Sequence, residues 1–196
     1  MIKVYTGPMF SGKTKAMFSI KDEHYHQRLI MCFKARKDNR TVGNLWTRSN
    51  PDRPIEAVEI SDLSEIYTYL DRNPQVKIIF IDEAMLIGGD ARVLIDLSLS
   101  LDLDIHIAGL DMTSEQSPFG IMPQVLAIAD EVIKVKAECS ECGKSAPYSY
   151  YLLGDKDEVV IGDQEYTALC GRCLVKTIGG RGALQKRLNI KPVISN

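Results

Sequence analysis

Gly7-Pro8-Met9-Phe10-Ser11-Gly12-Lys13-Thr14 matches the spacing G-x-x-x-x-G-K-[ST] in full, and its reading decides the fold. The short apolar run Ile2-Lys3-Val4-Tyr5 precedes it, and the helix-compatible stretch Lys15-Ala16-Met17-Phe18-Ser19-Ile20 follows. The chemistry requires that setting of strand, loop and helix. Glycines let backbone N–H groups close around phosphates, Lys13 carries a mobile positive charge, and Thr14 offers a hydroxyl to Mg²⁺. The helix N-terminus faces the anion. Each residue from Gly7 to Thr14 is therefore a candidate contact for a nucleoside triphosphate.

Outward from this loop, short β-like runs alternate with helical stretches over the first 135 residues. Strands are expected over 2–6, 29–34, 77–81, 105–109 and 131–135, and helices over 14–26, 62–72, 90–101 and 121–129. Such alternation predicts an α/β fold, a parallel sheet with helices on both faces. Lys77-Ile78-Ile79-Phe80-Ile81 is nearly all apolar, as a strand buried on both faces should be, and it ends on Asp82-Glu83. Asp82 fits the Mg²⁺-associated carboxylate of phosphate-loop enzymes. Glu83 beside it is placed to orient water in a hydrolase, or to take a proton from a substrate hydroxyl in a kinase. Residues 36–60 are rich in Arg, Asn, Pro and Thr and read as an irregular excursion with a short hairpin.

The remaining organisation follows the cysteines. Cys139 and Cys142 form one C-x-x-C, and Cys170 and Cys173 a second. Two such knuckles complete a tetrahedron of thiolates around Zn²⁺, leaving no open position for water, so the metal would be structural. The gap between the pairs is longer than in a compact zinc ribbon, and the metal would staple the base of a long loop. Cys32, inside the apolar run Leu29–Phe33, reads as a core thiol. The expected division is a nucleotide-binding α/β domain over 1–136, a zinc-anchored domain over 137–178, and a mobile, solvated tail over 179–196.

Composition narrows the function. Of 196 residues 45% are hydrophobic, ample for a core. No apolar run approaches the roughly 20 residues that span a bilayer. With the first strand starting at residue 2, no leader is expected, and the cytoplasm is the expected location. A net charge of −2 argues against nucleic acid as the main partner, because gripping its backbone calls for a basic stripe.

Gly7–Thr14, Asp82-Glu83-Ala84, Leu110-Asp111, Pro118-Phe119-Gly120 and the paired cysteines together closely resemble the type II thymidine kinases. The resemblance runs in order and at similar spacing from residue 1 to about 178. It implies transfer of the γ-phosphate of ATP to the 5′-hydroxyl of thymidine, with Glu83 matching the family's general base. Asp38-Asn39-Arg40 looks like the family's D-x-R, which would place Arg40 near the phosphates beside Lys13. The resemblance further implies a zinc-anchored lasso over the nucleoside, with Val160, Ile161, Gly162 and Tyr166 at the base and sugar. Met9, Asp38, Leu86, Leu110, Ser114 and Phe119 complete the implied substrate-binding set. The family is also known for homotetramers and for inhibition by the triphosphate end product.

Three positions around the implied base pocket depart from the family. A small residue, a Gln and an aromatic usually follow the Asp-Glu pair; here the run is Ala84-Met85-Leu86. Ser114 stands where a Phe is common. Each lost aromatic removes stacking worth about 0.5–1.5 kcal/mol. Met85, Leu86 and Met112 are expected to rebuild an apolar slot, with base preference weakened or shifted toward deoxyuridine or a 5-substituted analogue. Two rival readings use the same motifs. One is an ATPase acting on nucleic acid with a zinc module; small size and acidic charge oppose it. The other is a non-catalytic nucleotide sensor, opposed by retention of Lys13, Thr14, Arg40, Asp82 and Glu83.

Overall fold

The computed structural model describes residues 1–19, 29–38, 40, 43–47, 50–153 and 162–190, and of 44–47 and 50–54 only the backbone. Six strands form one wholly parallel sheet: β1 (Ile2–Thr6), β2 (Ile30–Ala35), β5 (Val58–Ile60), β6 (Ile78–Asp82), β7 (Asp104–Gly109) and β8 (Glu131–Lys134). Their order across the sheet is β5-β2-β6-β7-β1-β8. Between β2 and β5 the chain makes a separate antiparallel hairpin, β3 (Asn44–Thr47) with β4 (Asn50–Glu56). The expected hairpin is present. The edge strand β5 was not expected, because three residues inside a polar stretch carry no visible periodicity.

Alternation along the strands assigns the two faces. Val4, Phe33, Ile79, Ile81, Ile105 and Ile107 point to one side and pack with α2 (Glu65–Arg72), α3 (Arg92–Ser100) and α4 (Met122–Ile128). Tyr5, Cys32, Ile78, Phe80 and Ala108 point to the other and pack with Met17 of α1 (Lys13–Phe18). Both faces are therefore covered, as the near-continuous apolar strands require. The helix expected over 14–26 is described only as far as residue 19; the helix expected from 62 begins at Glu65. Asp62 accepts the Ser64 amide at 2.9 Å, and Glu65 reaches back to the Ser61 and Asp62 amides at 2.7 and 3.0 Å, a reciprocal cap.

After β8 the chain forms two small antiparallel pairs, β9 (Ala137–Glu138) with β10 (Ser145–Ala146) and β11 (Tyr148–Tyr151) with β12 (Tyr166–Leu169). With α5 (Gly171–Thr177) they enclose a separate core of Ala137, Ala146, Ala168, Leu169 and Leu174 around the cysteines. Within the tail expected over 179–196, Arg181–Arg187 is a helix, α6. Gly179 and Gly180, at φ 93° and 96°, turn the chain out of α5 and into α6. No helix among the described residues is long and apolar enough to cross a membrane.

Candidate active site

The loop after β1 is built around backbone shapes that its sequence anticipates. Gly7 has φ 145°, and a Cβ there would stand 2.1 Å from the Val135 carbonyl oxygen, so only glycine lets β8 pass this close. Gly12, at φ 78°, turns the chain into α1, and its carbonyl accepts the Ala16 amide at 2.8 Å. Lys13 curls back over the loop, donating from Nζ to the Pro8 carbonyl at 2.8 Å. Burial pushes the Lys13 ammonium below its ordinary value, against the opposing pull of Glu83, Asp82 and Asp111.

β7 lies between β1 and β6, yet the loop still reaches the end of β6. Thr14 Oγ1 donates to Asp82, at 3.0 Å from Oδ2 and 3.3 Å from Oδ1. Asp82 is buried, and its carboxyl is pushed up to about 7, first by desolvation and then by the charge of Glu83. A buried carboxylate beside a hydroxyl and a lysine, at the carboxyl edge of a parallel sheet, is a setting that fits a hard divalent cation. Glu83 has φ 53°, a left-handed conformation uncommon for a residue with a Cβ, and its amide donates to Asp82 Oδ1 at 3.0 Å.

Arg40 converges on the same point from the loop after β2. It pairs with Glu83, with Asp38 at 2.6 Å and with Asp163 at 3.1 Å. Desolvation opposes its charge, but the bonds to Asp38 and Glu83 outweigh it and hold the guanidinium protonated. Asp38 is itself buried and 3.7 Å from the fully buried Lys34 ammonium. Desolvation opposes ionisation of Asp38; the Arg40 and Lys34 interactions outweigh it and bring the carboxyl below its usual range.

Leu86, Leu110 and Phe119 pack against the edge of the larger core, which gathers three expected substrate-binding side chains on one side of the sheet. Met85 departs from expectation. It is buried at 7% exposure, and its Sδ accepts the Leu110 amide at 3.4 Å, so it serves the core instead of lining a slot. The loop 112–118 closes through Thr113 N–H to the Ser117 carbonyl at 2.8 Å. Ser114 there is buried, its hydroxyl turned to Glu115 at 2.7 Å. Tyr166 is buried with its ring 5.1 Å from that of Tyr151, packed within its own small domain. Gly162 precedes β12; Val160 and Ile161 lie outside the described residues.

The four paired cysteines do meet. Their sulfurs lie within 4.8 Å of one another, with Cys142 Sγ 3.7 Å from Cys170 Sγ. Tetrahedral Zn–S bonds of 2.3 Å would set sulfurs about 3.8 Å apart, so the donor set and spacing fit a four-thiolate metal. The first knuckle is a turn closed by Gly143 N–H to the Cys139 carbonyl at 2.9 Å; the second opens α5. Backbone amides, that of Cys170 first and then those of Glu141 and Cys142, hold the Cys139 thiol below its usual range despite some desolvation.

Two groups in this arrangement carry no motif. Ser149 of β11 accepts the Met9 amide at 3.0 Å, and Asp163 reaches Arg40; their partners are distant in sequence, so no local pattern marks them.

Comparison with known proteins agrees with this geometry. The family model for thymidine kinase matches residues 1–174. The chain is 34% identical over 177 residues to the thymidine kinase of Mycoplasma mobile, covering 88% of this chain and 86% of that one. It is 32% identical over 178 residues to that of Pseudothermotoga lettingae, covering 89% and 95%. With the thymidine kinase of Bacteroides thetaiotaomicron the identity is 33% over 186 residues, covering 92% and 90%. The chain is a phosphotransferase and belongs to the thymidine kinase family.

Proposed function

We propose that this enzyme transfers the γ-phosphate of ATP to the 5′-hydroxyl of a pyrimidine deoxynucleoside, thymidine or a close relative. The observation that carries the reading is the meeting of Glu83, Arg40 and the Thr14–Asp82 pair at one sheet edge. Glu83 accepts the proton of the 5′-hydroxyl as its oxygen attacks the γ-phosphorus. The bond from that phosphorus to the β-phosphate oxygen breaks, and ADP leaves. Lys13, the loop amides and Arg40 neutralise the phosphate oxygens as charge shifts among them. Thr14 and Asp82 would hold Mg²⁺, whose charge stabilises the β- and γ-phosphates. Cys139, Cys142, Cys170 and Cys173 would hold Zn²⁺ as a structural staple.

Leu86, Leu110 and Phe119 supply an apolar wall for the base, with Gly162 and Tyr166 approaching from the zinc-anchored domain. Ser114 contributes no aromatic surface, and Met85 is committed to the core, which supports a relaxed base preference. A homotetramer in the cytoplasm is the expected working form, and sedimentation velocity tests the assembly. The decisive experiment incubates the protein with Mg·ATP and thymidine, deoxyuridine or neither, and measures ADP and 5′-monophosphate. Monophosphate equal to ADP is expected, with deoxyuridine within about tenfold of thymidine in kcat/KM. Thymidine preferred by several orders of magnitude would overturn the relaxed preference. ADP without monophosphate would overturn the kinase reading itself.

A further inference from the structure

The family match ends at residue 174, but the chain continues into α6, and Arg187 at its end returns to the candidate site. Arg187 Nη2 donates to the Ser114 carbonyl at 2.7 Å, while its guanidinium carbon lies 5.7 Å from the Tyr150 ring centroid on β11. One side chain thus touches both the loop 112–118 and the cysteine-bearing domain. Gln116 Nε2 donates to the same Ser114 carbonyl. Arg187 Nε is buried and without a hydrogen-bond partner among the described residues, so Arg187 is held there at some cost.

The local chemistry explains why such a contact matters in this chain. Ser114 is small and, among the described residues, its hydroxyl bonds within its own loop, so it offers no large apolar surface to anchor the loop. The loop is fastened instead through a main-chain carbonyl that accepts two side-chain donors. We propose that Arg187 is a positioning residue for the nucleoside site: it pins the Ser114 carbonyl to Tyr150 and so fixes the gap between the base-side loop and the domain that covers it. The inference rests on the proposed base pocket at Leu86, Leu110 and Phe119. Arg187 does not touch the reacting atoms, so its effect belongs to nucleoside binding and not to phosphoryl transfer.

The test is steady-state kinetics of the full chain, with each substrate varied in turn. R187A is expected to raise KM for thymidine about tenfold while kcat and KM for ATP stay within about twofold. R187K keeps the donor but loses the planar stacking surface, so a rise of about threefold is expected. Tyr150→Phe keeps the ring and should match the parent; Tyr150→Leu should follow R187K. Unchanged thymidine KM in R187A, or equal rises for both substrates, would overturn the proposal. If R187A fails to fold, a thymidine KM in R187K equal to that of the parent would overturn it. Phe119→Ala tests the underlying pocket separately: a thymidine KM raised by R187A but not by Phe119→Ala would overturn the pocket at Phe119, whereas one raised by Phe119→Ala but not by R187A would overturn the role of Arg187 alone.

Discussion

The hydroxyl of Ser149, on the second strand pair of the cysteine-bearing domain, accepts the amide of Met9 in the phosphate loop at 3.0 Å. The loop proposed to hold ATP and the domain expected to cover the nucleoside therefore share a hydrogen bond. Ser149 itself is buried.

Replacing Ser149 by Ala leaves the Met9 amide unpaired and loosens the phosphate loop. Loss of about 1 kcal/mol is expected, seen as a roughly fivefold fall in kcat/KM for ATP. Ser149→Thr, which keeps the hydroxyl, should retain most of the activity. Equal kinetics for the Ala variant and the parent would show that the bond is incidental.

Removal of the Glu83 carboxylate tests the chemistry directly. Glu83→Gln keeps size and hydrogen-bonding capacity but cannot take the hydroxyl proton. A kcat lower by about 10²–10⁴ is expected, with the thymidine Kd little changed. Rapid-quench measurement of the first turnover separates this from slow product release. A burst at the parent rate would remove Glu83 from the proton-transfer step.

His106 on β7 gives the fold a pH dependence unrelated to catalysis. Its ring stacks on Phe80 at 5.2 Å, and neither nitrogen finds a partner among the described residues. Desolvation lowers its pKa most strongly; Lys3 and the N-terminus add to this, while Asp104 and Glu131 oppose it. The unfolded chain takes up a proton near pH 6.5, whereas the folded chain resists protonation to lower pH. Stability is thus full above about pH 6.5 and falls as pH drops below it, by at most about 1.4 kcal/mol per pH unit. Denaturant titrations from pH 7.5 to 5.0 should show this slope in the parent and a shallower one in His106→Phe. Parallel slopes would assign the acid sensitivity to other groups.

The cysteine cluster should carry one metal ion per chain, zinc by elemental analysis. Stripping it with a strong chelator, or replacing Cys139 by Ser, is expected to lower Tm by about 10 °C, corresponding to roughly 3 kcal/mol. Thymidine binding should weaken more than ATP binding, because the cluster lies in the core of the domain proposed to cover the nucleoside. Metal-free protein with unchanged Tm would show that packing around Leu169 and Leu174 suffices.

Much of this fold and site is legible in the sequence, and what is not legible has a physical reason. Ile78–Asp82 announced itself because a strand buried on both faces is continuously apolar, and the phosphate loop because its glycines have no substitutes. The paired cysteines were readable because a metal enforces spacing. β5 was missed because a three-residue edge strand needs only a neighbouring strand to pair with, not a pattern of its own. A resemblance gives Met85 a position but not a direction; the side chain is buried and its sulfur accepts the Leu110 amide. Asp163 and Arg187 bind groups 123 and 73 residues away, contacts that only the folded chain creates. Arg187 in particular sits in a basic stretch that reads as a solvated tail.

The left-handed backbone at Glu83 has an evolutionary consequence. Glycine, which pays no Cβ penalty there, would relieve a strain on the order of 1 kcal/mol, and asparagine part of it. With Glu83 as the proposed base, position 83 sets fitness for folding against fitness for turnover. A lineage that obtained its nucleotides by another route would no longer be selected to keep the carboxylate, and glycine at this position should be among the earliest marks of the lost activity.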